Sequence, residues 1–260
     1  MNMFKKDKKV SRPSVFWFAT EIGRAIAETG LSIPFRKLYN NCPNGDSHPV
    51  LVMPGFMATD KSTDILRDFL DNLGYTTYPW KLGRNYGKVE YLELLIARVE
   101  ELYKAHGERV SLIGWSLGGV FARQVAKERP NMVRQLITLG SPFMGVQQAN
   151  NAAWVYNLFI NRDKFEDTNP DLLEELPTPA PVPTTAIYSK EDGVVPWELC
   201  IEPEEDYYHQ NIQVRGSHLG LGVNVSVLKI IADRLQYVEA NWEPFSPNNF
   251  VEDLLYYPSL

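Results

Sequence analysis

A chain of 260 residues with 44% hydrophobic and 22% charged side chains carries enough apolar material for a large buried core, as one α/β domain or as two smaller ones. Its formal net charge of -6 argues against a protein whose main partner is nucleic acid, because neutralising phosphates needs a basic face. No run reaches the roughly 18 apolar residues of a membrane-spanning helix, and the two cysteines, Cys42 and Cys200, fit neither a metal-ligand spacing nor a CxxC redox pair, so free thiols are expected rather than a disulfide.

The first dozen residues, MNMFKKDKKVSR, are mostly charged and read as a tail. From Ser14 to Glu28 the pattern is that of an amphipathic helix, with Ser14 at the N-cap, Phe18, Ile22 and Ile26 at four-residue spacing, and Gly30 as the stop. Lysines before an apolar run imitate a secretory leader, but Thr20, Glu21 and Arg24 cut the run below the about 7–15 residues of a leader core, so a cytoplasmic location is expected. The stretch FKKDKKVSRPSVFWF also joins a basic cluster to aromatic rings, a combination that holds proteins peripherally at anionic membranes; the plainer alternative is a helix docked on the body.

From Pro49 the chain keeps a regular beat: strand PVLVMPG, helix Thr59 to Asn72, strand GYTTYPW, helix Lys88 to His106, strand RVSLIG, helix Ser116 to Lys127, strand VRQLITLG. Strands alternating with helices of this length build parallel βαβ units, whose sheet must be covered by helices on both faces. After Pro142 the beat breaks. Phe143 to Pro183 contains a helix-like stretch, NAAWVYNLFI, followed by the proline-rich LPTPAPVPTT, and an insertion of that length is either functional or a linker. Strands resume at Thr184 (TTAIYS) and Asn211 (NIQVRG), and helix Val223 to Leu235 follows. The chain thus divides into an N-terminal tail and helix (1–48), a first core segment (49–142), the insertion (143–183), a second core segment (184–238) and a C-terminal tail (239–260).

The chemistry begins at Gly114-Trp115-Ser116-Leu117-Gly118, a G-x-S-x-G elbow with a strand before it and a helix after it. Such a turn lifts a serine hydroxyl off the sheet edge and aims the first helix amides at the same point. A serine hydroxyl is a weak nucleophile until a histidine takes its proton, and the histidine needs a carboxylate to hold its tautomer. With the chain order Ser, acid, His, two of the four histidines qualify. His218 follows strand NIQV, on the elbow's side of the sheet, and is preferred over His209, which precedes it. Asp192, after strand TTAIYS, is preferred as the acid over its neighbour Glu191, while Asp163, Asp167 and Asp171 belong to the insertion. For a developing oxyanion the expected donors are the backbone N–H groups of Leu117 and Phe56, with Met57 as the alternative to Phe56. No metal or organic cofactor is required.

On the segments VMPGFMAT, LIGWSLGG, ITLGSPF, YSKEDGVVP and GSHLGL, the chain resembles the α/β-hydrolase superfamily and, within it, the serine lipase and esterase branch. That resemblance implies a mostly parallel central sheet, a helical cap or lid in the insertion, and hydrolysis of a small-molecule or lipid ester through an acyl-enzyme, with Ser116, Asp192 and His218 as the triad. Many lipases of this branch have histidine where this chain has Pro54 and Trp115. The oxyanion donors are backbone groups and do not depend on those side chains. Met57, Trp115, Trp154 and Phe159 are the expected substrate-contacting residues; a helix around Trp154 that simply packs on the core is the alternative. An acyltransferase with the same triad, or a non-catalytic hydrolase-like binding protein, are the rival functions.

Overall fold

Val50 and Val52 point to one side of their strand and Leu51 and Met53 to the other, and all four are fully buried, so this strand requires a helical layer on each face. The computed structural model, which describes residues 10–35, 42–144, 175–247 and 256–258, supplies both layers. Strands β1 (Pro49–Met53), β2 (Thr76–Pro79), β3 (Val110–Trp115), β4 (Val133–Leu139), β5 (Thr184–Ser189), β6 (His209–Val214) and β7 (Tyr256–Pro258) form one sheet in the order β2-β1-β3-β4-β5-β6-β7. The first six strands are parallel and β7 runs antiparallel to β6.

Helices α3 (Tyr91–His106) and α4 (Leu117–Glu128) bury Leu95, Val99, Phe121 and Val125 against Leu51, Met53 and Leu112 on one face. On the other face, α2 (Asp64–Leu73) and α5 (Val225–Leu235) bury Leu66, Phe69, Ile230 and Ile231 against Val50, Val52 and Ile113. The α/β-hydrolase fold expected from the sequence is therefore present. The chain passes from β1 outward to β2 on one side and to β3 on the other, so the C-terminal ends of β1 and β3 flank a topological switch point, where open α/β sheets place their ligands.

One expectation needs correction. The N-terminal helix α1 spans Val15–Phe35 and does not stop at Gly30. Gly30 faces open space, and the helix continues past it, at a glycine penalty of about 1 kcal/mol, to buried Ser32, whose hydroxyl donates to the Thr29 carbonyl at 2.8 Å. Its apolar stripe faces outward: Phe18, Ile22 and Ile26 are more than 60% exposed, whereas Glu21 is 3% exposed. The C-terminal tail contributes to the fold, because Trp242 and Phe245 are buried, Gln210 exchanges two hydrogen bonds with the Phe245 backbone, and β7 closes the sheet edge. Cys42 and Cys200 are free thiols. The lid expectation, with Trp154 and Phe159, falls outside the described residues, and no helix among the described residues is long and apolar enough to cross a membrane.

Candidate active site

Ser116 stands between β3 and α4 with φ 53° and ψ -123°. A non-glycine residue held there costs about 1–3 kcal/mol, and the packing of the elbow sustains it: the Ser116 N–H donates to the Leu139 carbonyl at 2.8 Å, and at Gly118 any Cβ would run into the Met53 and Pro54 carbonyls. The strain exposes the hydroxyl to the loops that leave β5 and β6. The neighbouring β4 end is equally tight, since a Cβ on Gly140, whose φ is +54°, would lie 3.2 Å from His218 Nδ1 and 3.3 Å from Asp192 Oδ2.

His218 Nε2 lies 3.0 Å from Ser116 Oγ, and His218 Nδ1 lies 2.6 Å from Asp192 Oδ2. A carboxylate only accepts, so Nδ1 carries the proton given to Asp192 and Nε2 is left to accept from the serine hydroxyl. The other Asp192 oxygen accepts the Val194 and Val195 N–H groups at 2.8 and 2.7 Å, which fixes the carboxylate's orientation. Burial works against the charged form of His218, but the charge and hydrogen bond of Asp192, joined by the Glu21 carboxylate, outweigh it and raise its pKa above the ordinary histidine value.

The loop after β1 meets the serine directly, because a Cβ built on Gly55 would lie 3.2 Å from Ser116 Cβ. Leu117 N–H is the first amide of α4, where helix geometry provides no intrahelical acceptor. Met57 N–H, the alternative donor, is bound to the Asn85 carbonyl at 2.7 Å. The Trp115 indole N–H donates to the His218 carbonyl at 3.1 Å and its ring packs on Gly222, so it braces the histidine loop. Met57 is 46% exposed. His209 opens β6 at the opposite edge and is held by Asp206 and the Ala180 carbonyl. Glu191 contributes its backbone, donating to Ser189 Oγ and accepting from Arg24.

A second Ser-His-Asp relay exists. His48 Nε2 lies 2.8 Å from Ser111 Oγ, its Nδ1 is paired with Asp46, and Asp46 is paired with Arg134 at 2.8 Å. Ser111 is fully buried near the start of β3, away from any helix N-terminus, so this relay ties the start of β1 to β3 and has no room for a reacting group. Burial, with the nearby Arg134 charge, lowers the His48 pKa to about 4 against the opposing pull of Asp46. Among the described residues, no group of three or more His, Cys, Asp or Glu is placed to hold a metal ion.

A family model described as palmitoyl protein thioesterase matches residues 49–190, more than half of the chain. A triacylglycerol lipase from Pseudarthrobacter phenanthrenivorans is 30% identical over 113 residues, covering 40% of this chain and 35% of that protein. One from Burkholderia plantarii is 30% identical over 113 residues, covering 40% and 32%. The chain spans about a third of the length of these curated relatives. Among solved structures, an α/β superfamily hydrolase from Oenococcus oeni PSU-1 superposes with a TM-score of 0.57 at 16% identity over 74% of this chain and 94% of that one. Aspergillus fumigatus lipase B does so with a TM-score of 0.55 at 16% identity over 83% and 56%. These two likenesses show the fold.

Proposed function

The chain belongs to the palmitoyl protein thioesterase family of α/β-hydrolases, and from that premise we propose that it is a serine hydrolase of lipid-like carboxylic esters, acting through an acyl-enzyme on Ser116. The observation that carries this reading is the continuous relay from Asp192 through His218 to Ser116, placed where Gly55 touches the serine. Ser116 Oγ attacks the carbonyl carbon as His218 Nε2 takes its proton, and the oxyanion accepts from Leu117 and Phe56 N–H. His218 then protonates the leaving alcohol. Water repeats the sequence in reverse roles and frees the acid and the serine. Asp192 holds the imidazole tautomer and stabilises the imidazolium throughout.

The family model favours a second substrate class, thioesters, whose carbonyl would occupy the same place. Every residue of α1 that is exposed between Val15 and Leu31 is apolar, with Val15 82%, Phe16 63% and Ile26 68% exposed, which supports peripheral contact of this helix with a lipid surface. Both features suit an apolar acyl substrate. Matched p-nitrophenyl esters and acyl thioesters of increasing chain length, assayed with and without added alcohol, test the reading. Release of free acid by the wild type and none by Ser116→Ala is expected. Acyl transfer to the alcohol in preference to water would replace hydrolase by acyltransferase, and turnover retained by Ser116→Ala would overturn the assignment.

A further inference from the structure

The inward face of α1 is polar, and it meets the two loops that carry Asp192 and His218. Glu21 Oε1 accepts the N–H of Gly193 at 2.8 Å and of His218 at 3.2 Å, while Oε2 accepts the N–H of Leu219 at 3.1 Å. Arg24 donates to Glu21 Oε1 and to the Glu191 carbonyl, both at 2.9 Å. One turn further on, Glu28 Oε1 accepts the Ser217 N–H at 2.8 Å. Asp192 is therefore flanked on both sides by groups bound to α1, through Glu191 O and Gly193 N. The amides of Ser217, His218 and Leu219 are all received by α1 carboxylates. The approach is close: a Cβ on Gly193 would overlap the backbone of Trp17 and Phe18.

A buried carboxylate is costly unless its lone pairs are filled, and nothing in core packing calls for one here. Three backbone donors from two loops, plus a guanidinium, fill those of Glu21. The loops leave different strands and are joined to each other by the Asp192–His218 contact and by Ser189 Oγ donating to the Gly216 carbonyl. We propose that Glu21 is a positioning residue of the reaction, holding the acid loop and the histidine loop in register through α1. This inference rests on the triad reading above.

Two consequences separate this role from a purely structural one. Loss of Glu21 should loosen both loops together, and it should remove a negative charge near His218, where Asp192 is the other carboxylate raising the histidine's pKa. The base would then titrate at lower pH.

The test compares wild type, Glu21→Gln, Glu21→Asp and Glu28→Gln by the rate of fluorophosphonate labelling of Ser116 across pH 5–9 (a range of about four units around the histidine value), together with amide hydrogen exchange. Glu21→Gln is expected to label about tenfold or more slowly at the plateau, with its acid limb moved to lower pH and exchange accelerated at both 190–195 and 215–220. Glu21→Asp keeps the charge and shortens the reach, so it should slow labelling while moving the acid limb less. If Glu21→Gln does not fold, Glu21→Asp decides by the same joint loosening of the loops, against Glu28→Gln, which alters the residue that receives the Ser217 amide and should accelerate exchange at 215–220 without 190–195. Labelling and exchange equal to wild type in folded Glu21 variants would overturn the proposal and leave the triad intact. A wild type that takes no label at Ser116 would overturn the triad reading, and the positioning role with it.

Discussion

Acidification from pH 8 to pH 5 is expected to weaken the fold through His48, and the size of the effect follows from the buried relay. In the unfolded chain His48 titrates near 6.5, whereas in the folded protein burial and the Arg134 charge bring it to about 4. Between those values the unfolded chain binds more protons, so stability is complete above the unfolded pKa and is lost as pH falls toward the folded one. A shift of that size corresponds to at most about 3 kcal/mol, of which about 2 kcal/mol is gone by pH 5. The His48 side chain is wholly buried, so solvent screening does not reduce the figure. His218, with a raised pKa, contributes in the opposite sense: its stabilisation is present below the unfolded value and fades as pH rises. The assay is therefore a difference, comparing urea unfolding of wild type and His48→Gln at pH 8 and pH 5. Wild type should lose about 2 kcal/mol more than the variant over that interval. Equal losses in the two proteins would refute the claim that His48 is held neutral, and with it the distinction between a structural Ser-His-Asp relay and a reactive one.

Three further outcomes are expected. Arg123 and Glu202 form an ion pair with both side chains at 0% exposure, and Arg123 also donates to the Leu176 and Thr178 carbonyls at 2.9 and 3.0 Å. Arg123→Met should cost about 3–5 kcal/mol in urea unfolding, since Glu202 would be left buried without its partner, and a loss below about 1 kcal/mol would contradict this. Gly55→Ala places a methyl 3.2 Å from Ser116 Cβ and 3.5 Å from the Trp115 carbonyl, so kcat/KM should fall about tenfold or more while stability changes by about 1 kcal/mol; unchanged kinetics would remove the β1 loop from the site. The double substitution Ile22→Asp with Ile26→Asp, on the exposed face of α1, should abolish sedimentation with vesicles containing anionic lipid, and sedimentation equal to wild type would dismiss α1 as a lipid contact.

The site was legible where its chemistry is written locally. Ser116, Asp192 and His218 each follow a strand whose hydrophobic pattern is plain, and a parallel sheet brings the ends of such strands to one edge. The donor loop needed more. That Met57 N–H is occupied depends on Asn85, 28 positions later, and that Trp115 braces the histidine loop depends on His218, 103 positions later. The orientation of α1 was hidden for the same reason: periodicity reveals an apolar stripe but not which side faces the body, and the loop amides that Glu21 receives lie 172 to 198 positions away. Strand β7, three residues ending in proline at a sheet edge, is too short to carry a periodic signal.

The central claim is that Ser116 is activated by His218 and Asp192. Intact-protein mass spectrometry after fluorophosphonate treatment tests it most directly, with peptide mapping of the product and Ser116→Ala and His218→Ala as controls. One adduct on Ser116, absent in both variants, is the predicted result. An adduct that maps elsewhere, or one that persists in Ser116→Ala, would contradict it.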